Sequence, residues 1–445
     1  MAPALLLRWR MSPRHVVVAG AGLAGLSAAH ELAAGGARVT LIDARDRAGG
    51  RVWTVRDGFA DGQHAELGAE FVDDGHEHIR ALAKRFDLPL VRVLDGGFLH
   101  RVRIPGDGFH VSRSGPWELC DDLLAPLLRR YEAAGGHDAA DVVREISTWS
   151  LAGWLEHQRA SAADLAMART VRGFFLADPE DLSVLPMVAQ LADAGSPARI
   201  PVFRIVGGTD RLVDALVAHT PARLLLRHQV RGVEQTDDGI VVRVSDERER
   251  LQAIACDAVV MATPASTLRE ITITPPLPDE QQKAIARLRY GCATKVAVQV
   301  ADDALRRRRG RAFATDSALG AFWDATEGQP TDARSIIHFL GGGSASARLR
   351  EKAAHGAAAV LADLCWLGLA GAPIVASHQV SWEDDPFARG GYAYADPGFD
   401  PAWKPLLSRR AGNIVFAGEH TSKDHQGYME GAVESGLRAA RELMV

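Results

Sequence analysis

The hydrophobic and polar positions at the start of the chain predict a strand, a helix and a second strand. A run of β-branched residues, His15 to Ala19, is typical of a buried strand. The Ala- and Leu-rich stretch Leu26 to Ala34 has the composition of a helix, which Gly35 and Gly36 end. The apolar run Arg38 to Ile42 predicts the second strand. This order places a strand–helix–strand unit of an α/β fold near the N-terminus.

The rest of the chain mixes helical and strand patterns. Residues 76–92 and 116–172 carry Leu, Ala, Arg and Glu at helical spacing, and short strands are predicted between Val91 and Val111. Such an inserted helical lobe typically lines or covers a cleft. The other predicted elements are a turn at 203–210 with a helix at 211–218, strands at 224–230, 258–261, 295–300, 335–339 and 374–380, a hairpin around 237–239, a helix near 345–369, and a final strand and helix within 413–443.

A glycine motif follows the first predicted strand. Gly20, Gly22 and Gly25 fit G-x-G-x-x-G, and Asp43 closes the second strand. In a dinucleotide site the first glycine permits the tight turn, the second admits the pyrophosphate and the third lets the helix pack closely. The helix N-terminus offers free N–H groups to the phosphates. Asp43 is placed to accept a ribose 2′-hydroxyl, so the motif predicts NAD or FAD and leaves that choice open.

The residues after the second strand favour FAD. Asp46 to Arg51 reads D-R-A-G-G-R, a glycine pair with arginines on both sides, whose N–H groups and guanidinium forks can reach phosphate or flavin oxygens. This continuation resembles the FAD-binding start of the flavin-containing amine oxidase superfamily, a group that includes monoamine, polyamine and L-amino acid oxidases.

The C-terminal segment carries the second half of the resemblance. Residues 413–419 read as a strand that ends in Gly418 and Glu419, and G-Y-M-E-G-A begins at Gly427. Together they closely resemble the family's final signature, F-x-G-E-x-T followed by G-Y-M-E-G-A. The resemblance implies that Glu419 contacts the ribityl or pyrophosphate region of the cofactor, and that the backbone near Met429 binds the flavin pyrimidine edge. It also implies that Val230 brings backbone to the adenine.

The resemblance implies a set of cofactor contacts spread over the chain. They are Gly20, Gly22, Leu23, Ala24, Gly25, Asp43, Ala44, Arg45, Gly49, Gly50, Arg51, Gly68, Ala69, Glu70, Val230, Trp382, Gly418, Glu419, Gly427, Tyr428, Met429 and Ala432. Monoamine oxidases attach FAD through a cysteine directly before the first active-site tyrosine. Gly391 stands at that position here, so the FAD is expected to be non-covalent.

Three residues carry the predicted chemistry. The resemblance places Tyr392 and Tyr428 on either side of a substrate amine in front of the flavin. Two ring faces there present negative charge density to the amine and exclude water. The alternatives are two half-buried core tyrosines, or Tyr394 in place of Tyr392. Lys295 enters an apolar strand, where the resemblance implies that it holds a water against flavin N5; the alternative is a lysine that extends out from a strand edge.

The stretch from Glu66 to Asp74 supplies candidates for substrate binding. Glu70 or Asp73 could bind the distal ammonium of a diamine or polyamine, with Phe71 between them. A solvated loop acid or a helix N-cap is the alternative. No arginine stands out as the partner of a substrate carboxylate, because Arg80, Arg92 and Arg172 all have structural explanations. The four histidines His64, His76, His78 and His425 lack ligand spacing, so no metal is predicted.

Composition and charge narrow the class of protein. The chain has 445 residues, a hydrophobic fraction of 47% and a net charge of -5, which gives no electrostatic case for nucleic acid binding. Four widely spaced cysteines indicate a reducing compartment. The apolar patch Ala4 to Leu7 is too short for a signal sequence, Met11 is an alternative start, and no segment is long enough to span a bilayer. A cytoplasmic protein is expected, with a homodimer left open and the basic run Arg306 to Arg309 interpreted as a solvated face.

These observations predict an α/β fold, α+β overall. We expect a discontinuous Rossmann-like FAD-binding domain over 12–75, 203–270 and 385–445, a helical lobe with part of the substrate domain over 76–202, and an inserted mixed-sheet substrate-binding domain over 271–384.

The expected activity is oxidative deamination of a primary or polyamine-type amine. The resemblance implies hydride transfer to flavin N5, with an imine, an aldehyde, ammonia or an amine, and hydrogen peroxide as products and O2 as the acceptor. An L-amino acid oxidase, a desaturase-like flavoenzyme that does not need the tyrosine pair, and a non-catalytic flavin-binding module are the alternatives.

Overall fold

The computed structural model describes residues 14–136, 141–194, 200–301, 305, 312–330 and 334–444. The N-terminal patch with Met11 and the basic run Arg306 to Arg309 therefore lie outside the described residues, as does the side chain of Cys120. The described chain combines helices with several β-sheets, which confirms the predicted α/β class.

A five-stranded parallel sheet forms around the N-terminal unit. Both predicted strands are confirmed with their predicted bounds, and the first is completely buried. In spatial order the strands are Ala222–Leu225, Arg38–Ile42, His15–Ala19, Ala258–Met261 and Ile414–Phe416. The helix Leu23–Ala34 begins three residues before its predicted start, because the second half of the glycine turn already belongs to it.

The predicted strand 224–230 is wrong as a single element. Leu224 and Leu225 end a strand of the parallel sheet, whereas Val230 belongs to the next sheet. Arg227 between them has φ of 57°, which breaks the extended chain and redirects it. The second sheet contains the predicted hairpin, and its strands in order are Leu251–Cys256, Gly239–Asp246, His228–Thr236 and Thr272–Thr274.

A seven-stranded mixed sheet forms the other large layer. Every residue of its strand Ala293–Val300 is buried, because strands cover both of its edges. The strands in order are Ile374–Ser381, Ala293–Val300, Ser335–Gly342, Ala321–Asp324, Ala312–Thr315, Leu99–Ile104 and Gly108–Ser112. Smaller sheets pair Val72–Asp73, Val202–Ile205 and Leu90–Val93, then Arg289–Tyr290 with Ala393–Tyr394, and Thr54–Val55 with Ala65–Glu66.

Helices cover these sheets and form the predicted helical region. The helix predicted near 345–369 is interrupted at Gly356, whose φ of 94° cannot continue a helix. The other α-helices are Glu77–Arg85, Pro116–Ala133, Asp141–Ser147, Leu151–His157, Ala162–Ala168, Arg172–Phe175, Leu185–Ala194, Asp210–Ala218, Ala265–Leu268, Asp279–Arg287, Ser344–Ala354, Ala357–Ala362 and Met429–Met444. Short 3₁₀ helices span Arg169–Val171, Cys365–Leu367, Pro401–Ser408 and Glu419–Thr421. Within the described ranges, no helix has the length and apolar character needed to cross a membrane.

Two helices that are far apart along the chain pack together beside the parallel sheet. The helix Met429–Met444 lies against the helix Leu23–Ala34 so closely that a Cβ on Gly436 would stand 2.2 Å from the carbonyl oxygen of Ala24. Only glycine permits this approach. The C-terminal residues are thereby brought beside the glycine turn, where the candidate site lies.

Candidate active site

One cavity of about 1880 Å³ collects almost all the residues predicted to bind cofactor or substrate. Pockets for a single small ligand are typically about 300–1,000 Å³, so this one has room for a dinucleotide and a second molecule. Lys295, Tyr392, Phe71 and Asp73 line it together with every predicted cofactor residue except Gly25.

The glycine turn forms one wall of the cavity. A Cβ added to Gly22 would meet no protein atom nearer than the Cα of Gly50 at 4.0 Å, so the space in front of its backbone is open. Gly20 has φ of 107°, and Gly25 would place a Cβ 1.8 Å from the carbonyl oxygen of Gly20. Gly25 therefore serves helix packing, and Gly22 leaves the room that a pyrophosphate requires.

Asp43 is folded back onto the glycine turn. Its Oδ2 accepts the N–H of Ala21 at 2.7 Å, and its Oδ1 accepts the N–H of Arg45 at 2.9 Å. Burial raises the pKa of Asp43, while these two N–H groups oppose the rise. Each carboxylate oxygen keeps a second acceptor position, so Asp43 can hold the turn and also accept a ribose hydroxyl.

The arginines around the glycine pair do not all face the cavity. Arg47 donates to the carbonyl oxygens of Gly50 at 3.0 Å and Val52 at 2.9 Å, so its predicted reach to a phosphate is wrong. It holds the glycine loop by donating to these two carbonyl oxygens. Arg51 does line the cavity and donates to the carbonyl oxygen of Gly391 at 2.6 Å.

Glu419 connects the two segments that carry Tyr392 and Tyr428. Its Oε2 accepts the N–H of Gly427 at 2.8 Å, and its Oε1 accepts the N–H of Ala393 at 3.2 Å. Arg51 pairs with the same Oε1 at 3.0 Å. A single buried carboxylate thus holds the residues next to Tyr392 and Tyr428 and an arginine of the glycine loop.

Tyr392 and Tyr428 both face the cavity in neutral form. Burial raises the pKa of each tyrosine, and the charge of Tyr428 when ionised would raise that of Tyr392 further. The Tyr392 hydroxyl donates to the carbonyl oxygen of Phe174, and the Tyr428 ring lies 5.1 Å from that of His76. Tyr394 also lines the cavity, but it packs against the core of the helical lobe.

Lys295 lies on a strand that is paired on both sides, the second of the seven-stranded sheet, and is buried, so its predicted alternative position at a strand edge is wrong. Its Nζ donates to Glu70 Oε2 at 2.6 Å and to the carbonyl oxygen of Gly68 at 3.1 Å. The ammonium also lies 5.2 Å from the centre of the Trp323 ring. The energetic cost of burying the ammonium is offset by these partners.

Glu70 is neither a solvated loop acid nor a helix N-cap, contrary to that alternative prediction. It is 4% exposed and both oxygens are engaged. Oε2 contacts Lys295 and, at 3.1 Å, His338 Nδ1, while Oε1 accepts from Arg204 at 2.7 Å and from Trp323 at 3.0 Å. Burial alone would raise the pKa of Glu70, but the neighbouring cations hold it well below its ordinary value. We call Glu70, Lys295, Arg204 and His338 the Glu70 cluster.

Asp73 is the acid of the segment from Glu66 to Asp74 whose carboxylate remains open to the cavity. Its carboxylate lines the cavity, and its nearest basic atom is His76 Nε2 at 3.7 Å. Burial raises the pKa of Asp73 to about 6. The same cause lowers the pKa of His76 to about 4, so this neighbour is neutral near pH 7. Phe71 lies 5.5 Å from the Trp323 ring and contributes an apolar wall.

The three arginines that the sequence associates with structural roles are all paired with carboxylates. Arg80 lies 3.1 Å from Asp74, while Arg92 pairs with Asp95 and Arg172 with Asp178. Within the described residues, no group of three or more His, Cys, Asp or Glu side chains is arranged to hold a metal ion.

Several cavity and cluster residues were missed by the sequence reasoning. Arg204 had a signal, because a charged residue inside the apolar strand Val202–Ile205 requires a buried partner. Trp323, His338 and His76 had none, since their neighbours come from distant parts of the chain. Phe174 reaches the site through a backbone carbonyl, which no side-chain pattern predicts.

Comparison with known proteins identifies the family. The flavin containing amine oxidoreductase family matches residues 23–444. Nicotine dehydrogenase of Pseudomonas putida is 28% identical over 96% of this chain and 88% of its own length, and L-amino-acid oxidase of Mus musculus is 28% identical over 96% and 70%. The structure of cyclohexylamine oxidase from Brevibacterium oxydans superposes with a TM-score of 0.83 at 23% identity, covering 97% of this chain and 99% of that one.

The family match begins at Leu23, directly after the glycine turn, and continues through the later segments that line the cavity to the C-terminal signature. The solved structure shares the fold over almost the whole chain. The protein is therefore a flavin enzyme that belongs to the flavin-containing amine oxidoreductases.

Proposed function

We propose that the protein is an FAD-dependent oxidase that deaminates a primary or polyamine-type amine. The products are an imine, then an aldehyde with ammonia or a smaller amine, and hydrogen peroxide. The observation that carries the proposal is a pair of half-buried tyrosines, Tyr392 and Tyr428, whose raised pKa values keep both rings neutral, in the same cavity as a glycine turn of the dinucleotide-binding type.

FAD fits the residues that line the cavity. Gly22 leaves open space at the N-terminus of the helix Leu23–Ala34, where backbone N–H groups favour a pyrophosphate. Asp43 retains acceptor positions for a ribose hydroxyl. Non-covalent binding is supported by Gly391 at the position before Tyr392, which offers no thiol. When bound, FAD supplies the two-electron oxidation of the amine and transfers the electrons to oxygen.

The protein positions the amine and keeps water away from it. The rings of Tyr392 and Tyr428 present negative faces to the nitrogen and, being neutral, add no charge that would favour an ammonium. The apolar walls around them include Phe71, Phe174 and Trp323. Lys295 has two of its three donors engaged, so one N–H remains to hold a water that hydrolyses the imine or assists the reaction with oxygen.

Two arginines near the site, Arg172 and Arg204, are not available to a substrate carboxylate, whereas Arg113 also lines the cavity. An L-amino acid oxidase needs a cation for the substrate carboxylate, whereas Arg172 and Arg204 are already bound to acids. Asp73 instead leaves an unpaired carboxylate oxygen beside Tyr428, which suits the second ammonium of a diamine.

Anaerobic bleaching of the flavin tests the proposal. The purified yellow protein is mixed with monoamines, di- and polyamines, and L- and D-amino acids, and its visible spectrum is followed. Bleaching by one class of amines, with peroxide formed when air is readmitted, is the expected result. Bleaching by amino acids alone would transfer the assignment to the L-amino acid oxidases, and FAD binding without bleaching by any compound would refute oxidation of these amines.

A further inference from the structure

The Glu70 cluster joins four distant parts of the chain around one carboxylate. Lys295 and Arg204 each lie within 2.7 Å of a Glu70 oxygen, and His338 completes the contacts on the lysine side. The four side chains are all nearly inaccessible to solvent. Of these residues, Glu70 and Lys295 line the cavity, whereas Arg204 and His338 lie behind them.

The cluster holds one more positive than negative charge. Burial lowers the pKa of His338 to about 4, so this ring is neutral near pH 7 and donates through Nδ1 to the carboxylate. Glu70 is then the single anion that contacts both Lys295 and Arg204. Two buried cations that share one anion depend on it strongly, because an uncompensated buried charge is costly.

Arg204 and Trp323 fix the carboxylate from behind. The Arg204 guanidinium also donates to the carbonyl oxygens of Ala325 and Glu327, each at 3.2 Å, which anchors it to the backbone. Trp323 Nε1 donates to the same Glu70 oxygen. With Oε1 held in this way, Oε2 has a defined position from which it receives Lys295.

We infer that Glu70 is a positioning residue that acts through Lys295. It fixes the Lys295 ammonium so that two of the N–H groups are bound to protein and the third is directed to the cavity. This role rests on the proposed oxidase function. It differs from the distal-ammonium site that the sequence indicates for Glu70, because both carboxylate oxygens are engaged by protein donors.

Other ionisable groups near the lysine must be considered in its test. Glu66, four residues before Glu70, is also buried, and burial raises its pKa to about 7. Its partners are the neutral donors Thr54 and Thr209. His64 is influenced by Arg204 and Glu70, and burial lowers its pKa to about 4. Glu66 is therefore a matched control: a buried glutamate in the same segment that does not contact Lys295.

The experiment compares four variants of the holoenzyme: Lys295→Met, Glu70→Gln, Glu66→Gln and the double variant Glu70→Gln/Lys295→Met. Two steps are followed separately, reduction by an amine and reoxidation by oxygen after photoreduction without substrate. FAD content and Tm are recorded for each variant. Because photoreduction needs no amine, failure of every amine to reduce the wild type would refute the proposed function and leave the oxygen step measurable.

Glu70→Gln should slow the same step as Lys295→Met, by about 100-fold if the ammonium is displaced by about 1 Å. Glu66→Gln should leave that step within about threefold of the wild type, and the double variant should be no slower than Lys295→Met. As the pH is raised, the rate of this step should begin to fall at a lower pH in Glu70→Gln than in the wild type. The reason is that a lysine without its anion loses its proton more easily.

Three results would overturn the inference. The first is a double variant whose rate loss is the product of the losses of the two single variants. The others are a Glu70→Gln protein that behaves like Glu66→Gln, and a Lys295→Met protein that is normal in both steps. Where Glu70→Gln does not fold, His338→Phe decides. This change keeps every charge, because the His338 ring is neutral near pH 7, and it removes one hydrogen bond to Glu70 Oε2 from a residue behind the cavity wall. A smaller slowing of the lysine-dependent step is expected, and unchanged kinetics would refute the role of Glu70.

Discussion

Replacing Gly22 by alanine should separate cofactor binding from folding. Gly22 has φ of -73° and ψ of 178°, which alanine adopts without strain. No protein atom lies closer than 4.0 Å to the added Cβ. The apoprotein should therefore stay within about 1 kcal/mol of the wild type, because alanine restricts the unfolded chain but is less favourable than glycine as the N-cap of the helix Leu23–Ala34.

The same methyl group should weaken FAD binding. It enters the space where a phosphate oxygen would approach a backbone N–H to about 2.9 Å. Overpacking of this kind costs about 1–3 kcal/mol, which corresponds to a Kd increase of roughly 5- to 150-fold. Titration of the apoprotein with FAD, followed by flavin fluorescence, measures the Kd, and thermal unfolding of the apoprotein measures the stability.

Substitutions at two other glycines serve as controls. Gly25→Ala should prevent folding, because its Cβ would stand 1.8 Å from the carbonyl oxygen of Gly20. Gly371→Ala has no atom within 4 Å of the added Cβ and lies away from the cavity, so it should change neither property. A Gly22→Ala protein that binds FAD as tightly as the Gly371→Ala protein would refute the placement of the pyrophosphate at Gly22.

Three other outcomes follow from the site. Acid precipitation should release all the flavin into the supernatant, since Gly391 provides no thiol; retained yellow colour in the pellet would contradict non-covalent binding. Tyr428→Leu should lower the rate of flavin reduction by an amine roughly 2- to 10-fold, whereas Tyr428→Phe should retain most of it; equal losses would show that the hydroxyl matters more than the ring. The Tm should fall as the pH is lowered from 6.5 to 4, because five histidines with pKa near 4, three of them buried and two half-buried, bind protons only after unfolding. Carboxylates with raised pKa values oppose this trend, namely Asp43, Glu66, Asp73, Asp181 and Asp214, whereas the lowered pKa of Glu70 reinforces it. A flat Tm across the interval would refute the prediction. The five are His64, His76, His100, His338 and His420.

The sequence predicted those parts of the fold whose causes are local. The strands His15–Ala19 and Arg38–Ile42 and the hairpin around 237–239 all follow from hydrophobic period and turn residues a few positions apart. The split of the strand predicted at 224–230 was not predicted, because it depends on which sheet each half joins. Arg227 turns the chain with a positive φ that nothing in its side chain requires.

The residues of the candidate site also fall into two groups, those that local patterns predicted and those that they did not. The cofactor residues were predicted because they lie in continuous motifs with a resemblance to support them. The Glu70 cluster was not, since its members come from positions 70, 204, 295 and 338, which lie in a loop and on two different sheets. A buried lysine and a buried glutamate each indicated that a partner was required, but spacing along the chain could not identify the pair.

The strand order of the parallel sheet has a consequence for biosynthesis. His15–Ala19 lies between Arg38–Ile42 and Ala258–Met261, and the latter pairs with Ile414–Phe416. The glycine turn emerges from the ribosome early, yet the strand and the helix Met429–Met444 that complete its surroundings come much later in the chain. Long-range pairings of this kind form late. We therefore expect the nascent chain to acquire its flavin only after residues 414–444 have been synthesised, so that a chain interrupted before residue 413 would remain colourless however well its first half had folded.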